Sequence, residues 1–221
     1  MKSALIVWGG WLGHQPKEVA EIFRQDLSST GYVVEVVDSL RVFADRGKKL
    51  EELNLIIPVW TMGEIQMDEV TAVTAAVEAG VGMAGCHGGM CDSFRASTEW
   101  QFMTGGQWVA HPGNDGVNYR VRIDDATHEI TSGLSDFDVA SEQYYLHVDP
   151  AIHVLASTDF PIADGPHTSN GKVKMPVAWT KMYGKGRIFY SSLGHQADVV
   201  ASGPAREMNK RGALWAGART A

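Results

Sequence analysis

In the first half of the chain, short apolar runs alternate with stretches in which apolar residues return every three or four positions. The runs are ALIVW (4–8), YVVEVVD (32–38), LNLIIPVW (53–60) and VGMAGC (81–86). Runs of this length, rich in Val and Ile and apolar on both faces, predict strands buried within a parallel sheet. Between the first two, HQPKEVAEIFRQDLSSTG carries Val19, Ile22, Phe23 and Leu27 on one helical face and stops at Gly31. MDEVTAVTAAVEAG (67–80) predicts a second helix, starting from an Asp cap and closing at Gly80. This alternation predicts an α/β fold with a doubly wound, mainly parallel sheet covered by helices on both faces.

The pattern changes after residue 105. Gly, Pro, Asp and His become frequent up to 175, and the strand-like runs shorten to YRVRI (119–123) and IHVLAS (152–157). These read as strands and loops elaborating the same unit, so that 1–221 is one domain. MPVAWTKMYGKGRIFYSSLGH (175–195) predicts a hairpin turning at YGKG, and a helix over 205–217 closes the chain. Ligands of open α/β sheets bind beyond the carboxyl ends of the strands. The segments in that position are Gly9–His14, Trp60–Gly63, His87–Cys91 and His195.

Of these segments, GMAGCHGGMCDSF (82–94) has the form of a nucleophile elbow: strand, tight glycine turn, helix start. Such a turn requires small residues on both sides of its tip. With Cys86 at the tip the flanks are Ala84 and Gly88, and a bulky imidazole follows directly. With His87 at the tip the flanks are Gly85 and Gly89. Glycine sterics favour His87, with Cys86 as the last buried strand residue and the imidazole turned out into the crevice. A Cys86 nucleophile and a purely structural turn are the alternatives.

The chain of 221 residues is 44% apolar and carries a formal charge of -7, with no long basic run. That balance argues against nucleic acid and against an anionic membrane surface as partners. No segment reaches the roughly 18 apolar residues of a membrane span. The N-terminal apolar run is too short for a signal peptide, and two cysteines make no disulfide framework, so the expected location is cytoplasmic.

Three of the eight histidines, His14, His87 and His195, follow predicted strands, and His111 lies in a loop flanked by Gly and Pro. If the sheet is doubly wound, the first three converge. They would then offer a divalent metal, zinc or a similar ion, three nitrogen ligands and an open position beside a sugar carbonyl or hydroxyl. Without a metal the same imidazoles support acid–base chemistry. His128, His147, His153 and His167 have the context of surface or structural residues. Trp8, Trp11, Trp60 and Trp108 fall near the crevice, where flat indole faces suit the C–H surface of a pyranose. Core packing is the competing role for Trp8 and Trp60. GGWLGH (9–14) lacks the G-x-G-x-x-G spacing of a dinucleotide site, and no P-loop is present.

GGWLGH (9–14), GMAGCHGG (82–89), GGQWVAHP (105–112), SEQYY (141–145) and GKGRIFYSSLGH (184–195), in this order, resemble the ThuA-like, trehalose-utilisation family over nearly the whole chain. The resemblance implies a flavodoxin-like sheet of the class I glutamine amidotransferase type. It also implies a histidine in place of the amidotransferase cysteine at the elbow tip, so amidotransferase chemistry is not expected. The SEQYY block, matching the family, adds Glu142 with Tyr144 and Tyr145. Beside His87 as catalytic candidates, Glu142 could hold the imidazole tautomer and Tyr145 donate a proton or bind a sugar hydroxyl. Trp11, Trp60, Trp108 and His111, near the crevice, are the substrate-binding candidates. The resemblance further implies carbohydrate catabolism acting on a disaccharide or its 3-keto derivative, with a small-molecule carbohydrate as partner and room for a homo-oligomer. A non-catalytic sugar-binding or regulatory protein and a Cys86-dependent hydrolase remain as other readings.

Overall fold

The computed structural model describes residues 2–219. Strand β1 (Lys2–Gly10) leads through a tight turn at Leu12–His14 into α1 (Pro16–Ser28). Then follow β2 (Tyr32–Val37), α2 (Arg41–Arg46), β3 (Leu55–Thr61), α3 (Met67–Glu78) and β4 (Gly82–Cys86). Two short helices, α4 (Gly88–Cys91) and α5 (Thr98–Thr104), precede β5 (Gly106–Ala110), β6 (Val117–Ile123), β7 (Phe137–Ser141), β8 (Tyr145–Val148) and β9 (His153–Phe160). The hairpin β10 (Val173–Tyr183) and β11 (Gly186–Ser191) is followed by α6 (Ala197–Ala201) and α7 (Gly203–Ala216).

Nine strands form one sheet in the order β2-β1-β3-β4-β11-β10-β9-β6-β7, while β5 and β8 pair as a separate ribbon. The strands from β2 to β11 are parallel, and in their own chain order they run 2-1-3-4-5, the doubly wound flavodoxin-like arrangement. From β11 onward every pairing is antiparallel. The sheet is therefore mixed, with a parallel core, where the sequence pattern suggested mostly parallel strands. The reason lies in the hairpin. A short turn joins only antiparallel neighbours, so once β11 docks beside β4, β10 must run the other way and the sheet continues antiparallel.

Side chains alternate strictly across the parallel strands. Ile6, Ile57, Ala84 and Phe189 face Val19, Phe23 and Leu27 of α1 and Met208 and Ala213 of α7. Leu5, Val7, Ile56, Met83 and Ile188 face Phe43 of α2, Val70, Val73 and Val77 of α3, and Trp100 of α5. Each such burial contributes about 1.5–3 kcal/mol, and a one-residue slip would exchange the two faces, so register is strongly determined.

The start of α3 differs from expectation. Its cap is Gln66, with Glu69 reaching back to the Gln66 amide at 2.9 Å in a reciprocal capping box. Asp68 stands in the first turn and pairs with Arg41 at 2.8 Å. Among the described residues, no helix is long and apolar enough to cross a membrane.

Candidate metal centre

The carboxyl ends of β1, β3, β4 and β11 lie side by side, and each delivers part of one cluster. Beyond β1, the turn at Leu12–His14 brings His14 down so that its Nδ1 pairs with the hydroxyl of Thr61, the last residue of β3, at 2.8 Å. Beyond β4, His87 takes a φ of 51° and ψ of -133°, a conformation that costs a non-glycine residue about 1–3 kcal/mol. Its backbone is held on both sides. The His87 amide donates to the Ser191 carbonyl, and the Tyr190 hydroxyl donates to the His87 carbonyl at 3.0 Å. Gly88 follows because a Cβ there would lie 2.6 Å from the Thr61 hydroxyl and 2.7 Å from His14 Nδ1. Beyond β11, Ser192 and His195 complete the strand-end set. Glu142 arrives from the antiparallel half, on the link between β7 and β8, where the Tyr119 hydroxyl donates to its carbonyl at 3.2 Å.

His14, His87, His195 and Glu142 are all buried, and one ligand atom from each lies within 4.8 Å of all the others. Glu142 Oε2 is 3.1 Å from His87 Nε2, 3.2 Å from His195 Nδ1 and 3.8 Å from His14 Nε2. The proton of His87 is assigned by its other nitrogen. Nδ1 lies 2.8 Å from the Ser192 carbonyl, which can only accept, so Nδ1 carries the hydrogen and Nε2 of the neutral ring is bare. Burial pulls the His87 pKa down to about 4, against the opposing pull of Glu142, so the ring is neutral near pH 7. A bare nitrogen and a carboxylate oxygen, both lone-pair donors, thus face each other at 3.1 Å. His195 Nδ1, also buried, has no aligned hydrogen-bond partner at all.

Burial alone would raise the Glu142 carboxyl, but the facing His14, His195 and His87 outweigh it and hold the group well below the usual carboxylate range. For His195, burial works downward, yet the Glu142 carboxylate and then Asp115 and Asp198 raise its pKa above the usual value. Three imidazoles converging on one ionised, buried carboxylate form a donor set that fits a divalent cation. The ligand atoms of a tetrahedral zinc ion stand about 3.3 Å apart, so small side-chain movements would close the cluster on an ion.

Tyr144 stacks on His87 with ring centroids 3.9 Å apart, covering it. The elbow register that the glycines favour is the one the backbone adopts, but His87 is 1% exposed and does not open into a crevice. Cys86 is buried beneath it, and burial pushes its thiol up to about 12, which removes the thiolate a nucleophile needs. His111 stands at the edge of the cluster, partly exposed, with Nδ1 3.7 Å from Glu142 Oε1 and no hydrogen bond. Trp108 is tilted against His111 at 5.5 Å, and the Arg95 guanidinium covers the indole at 4.1 Å. Arg95 is in turn fixed by two hydrogen bonds to the buried Asp92 carboxylate, at 2.6 and 3.0 Å. Trp11 is 47% exposed and meets His14 edge-on at 4.7 Å.

Two residues expected at the site lie elsewhere. The Tyr145 hydroxyl accepts from Asn170 at 2.8 Å and its ring packs on Phe160 and His167, on the opposite side from Glu142. Consecutive side chains of an extended segment point in opposite directions, so Tyr144 shares the side of Glu142 and Tyr145 cannot. Trp60 is consumed by packing, since a Cβ at Gly9 would come within 2.4 Å of its ring and one at Gly63 within 2.9 Å. Tyr144 belongs to the SEQYY block, but the catalytic role went to Tyr145; Thr61, Ser192 and Arg95 were given no role. Spacing of two from Glu142 was the available signal for Tyr144. Thr61 and Ser192 act through partners far away in the chain, and Arg95 through Asp92 nearby and the Trp108 ring.

Comparison with known proteins agrees with this architecture. The family model described as ThuA, trehalose utilisation, matches residues 3–216. A ThuA-like protein from Bacteroides uniformis superposes with a TM-score of 0.77 at 20% identity, over 97% of this chain and 91% of the other. One from Parabacteroides merdae gives 0.73 at 18% identity, over 99% and 90%. A β-galactosidase from Rahnella matches at 0.58 and 17% identity, over 90% of this chain but 30% of the enzyme, a likeness of fold alone. No curated protein matches the sequence. With the model match running from the first strand to the last helix, the chain belongs to the ThuA, trehalose-utilisation family.

Proposed function

We propose that this protein is an enzyme of carbohydrate catabolism that holds a divalent cation, zinc or a similar ion, on His14, His87, His195 and Glu142. Its substrate is a disaccharide or the 3-keto derivative of one. The observation that carries the reading is the buried Glu142 carboxylate on which three buried imidazoles converge, His87 presenting a bare Nε2 to it. Family membership supports the sugar class, and the exposed Trp11 and half-open Trp108 beside the cluster supply flat apolar faces for a pyranose. A bound cation of this kind supplies a Lewis acid for a sugar carbonyl or hydroxyl oxygen.

The protein side chains divide the remaining work. Ser192 fixes the His87 tautomer, and Thr61 orients His14. Tyr144 and the covering loops exclude water from the inner face. His111, beside Glu142 yet open to solvent, is placed to take a proton from the sugar and return it. In a 3-keto glycoside the C2 hydrogen is acidified by the neighbouring carbonyl, and the glycosidic oxygen at C1 is β to it. Transfer of the C2 proton to His111, with cleavage of the C1–O bond, releases the second sugar as an alcohol that gains a proton. Water then adds hydroxide to C1 and hydrogen to C2, giving net hydrolysis without an oxidant.

Elemental analysis and turnover test the reading together. Purified protein is expected to hold about one equivalent of divalent metal, lost in His87→Ala and Glu142→Gln along with turnover of the 3-keto disaccharide. A folded His87→Ala variant with unchanged turnover overturns the enzyme proposal. Saturable sugar binding without turnover identifies a binding or regulatory protein instead.

A further inference from the structure

Next to the metal centre, but outside it, a groove of about 320 Å³ runs between the loop at His111–Asn114 and the turn at Asp164–Pro166. That volume is at the lower end of the roughly 300–1,000 Å³ typical of small-molecule sites. The geometry points to a second sugar subsite here, one that holds the neutral pyranose ring of a disaccharide not undergoing chemistry. This rests on the functional reading above and adds the residues that would make the protein selective for two rings over one.

Position is the first argument. His111 lines the groove while its Nδ1 stands 3.7 Å from Glu142 Oε1, so a ring in the groove lies one imidazole away from the centre. The second argument is a prearranged platform. Trp108 borders the groove and is fixed by Arg95, which is itself clamped to Asp92, so little side-chain freedom remains to be lost on binding.

Charge narrows the class of ligand. Asn114 and Asp164 stand on opposite rims, an amide and a carboxylate suited to a polyol, and no Lys or Arg lines the groove. A phosphorylated ring or a uronic acid would meet Asp164 with like charge and no compensating cation. The far rim is held in place from behind. Tyr145 binds Asn170 and packs on His167, and a Cβ on Gly165 would approach His167 Nδ1 to 3.0 Å.

Two variants and two sugars test this by calorimetry, with trehalose as the two-ring probe and glucose as the one-ring probe. Asp164→Ala is an exposed truncation. Asn114→Gly removes the amide while tolerating the φ of 59° at that position. Each is expected to weaken trehalose binding about tenfold and leave glucose binding and metal content unchanged. Unchanged trehalose affinity in both variants, or equal losses for the two sugars, overturns the subsite while the functional reading stands. Tighter binding of a phosphorylated disaccharide than of trehalose also overturns it. Wild-type protein that binds neither sugar overturns the subsite, and the functional reading falls with it only if the 3-keto disaccharide is not turned over either.

Discussion

One hydrogen bond, from His87 Nδ1 to the Ser192 carbonyl, decides what that ring can do, because it commits Nε2 to the Glu142 side. In metal-free protein at pH 6, His87 is expected to be the neutral Nδ1–H tautomer while His195 is protonated. Imidazole nitrogen–proton spectra check this, and a hydrogen on His87 Nε2 would contradict it. The stability consequence has a definite sign. Unfolded His87 takes up a proton below about pH 6.5 and the folded ring only near 4, so its contribution to stability falls as pH drops through that window. The raised pKa of His195 acts oppositely, contributing stability below 6.5 that is lost as pH rises through the folded value. His195→Gln should therefore remove the gain in urea midpoint on acidification to about pH 6.5 while leaving the loss between 6.5 and 4 in place. Cys86 is expected to resist alkylation until the protein unfolds, as mass spectrometry before and after denaturant would record. At this scale the strand-end histidines were legible, since a strand end is visible in the apolar pattern and the crevice rule does the rest. The choice of Tyr144 over Tyr145 was not, because the apolar pattern does not set the register of residues 142–145, and a one-residue error moves the hydroxyl to the opposite side.

Helix α3 shows how a local signal can be read one step off. Asp68 is an ordinary cap residue, but the buried Glu69 satisfies the Gln66 amide and draws the helix start back to Gln66. Gln66→Ala should cost about 1 kcal/mol, measurable as a lower urea midpoint with unchanged slope. Helix α5 was not legible at all. Seven residues are under two turns, too few to display a period, and its last carbonyls are satisfied from β10. Lys181 Nζ donates to Phe102 at 2.8 Å and the Trp179 indole to Thr104 at 3.1 Å. The ribbon of β5 and β8 escaped for a related reason, since its partners are separated by the whole of β6 and β7. At the elbow, Gly88→Ala is expected to push His14 away from Thr61 and cost about 1–3 kcal/mol, with loss of bound metal on elemental analysis.

Across the whole molecule the sheet changes character at β11, which is parallel to β4 on one side and antiparallel to β10 on the other. The three histidines belong to the parallel half and Glu142 to the antiparallel half, so a bound ion would tie the two together. Zinc at one hundred times its dissociation constant should add about 2.7 kcal/mol, or roughly 5–10 °C in Tm for a protein of this size. Differential scanning calorimetry with and without chelator checks this, and Glu142→Gln should abolish the difference. The order of the ligands along the chain has a further consequence. His14, His87, Glu142 and His195 are spread from the first strand to just beyond the last, so no fragment emerging during synthesis holds the full set until β11 is in place. Uptake of an ion would then be a late event that registers completed assembly. A chain that stalls with its last hairpin undocked would stay metal-free, looser where its halves meet, and open there to proteases.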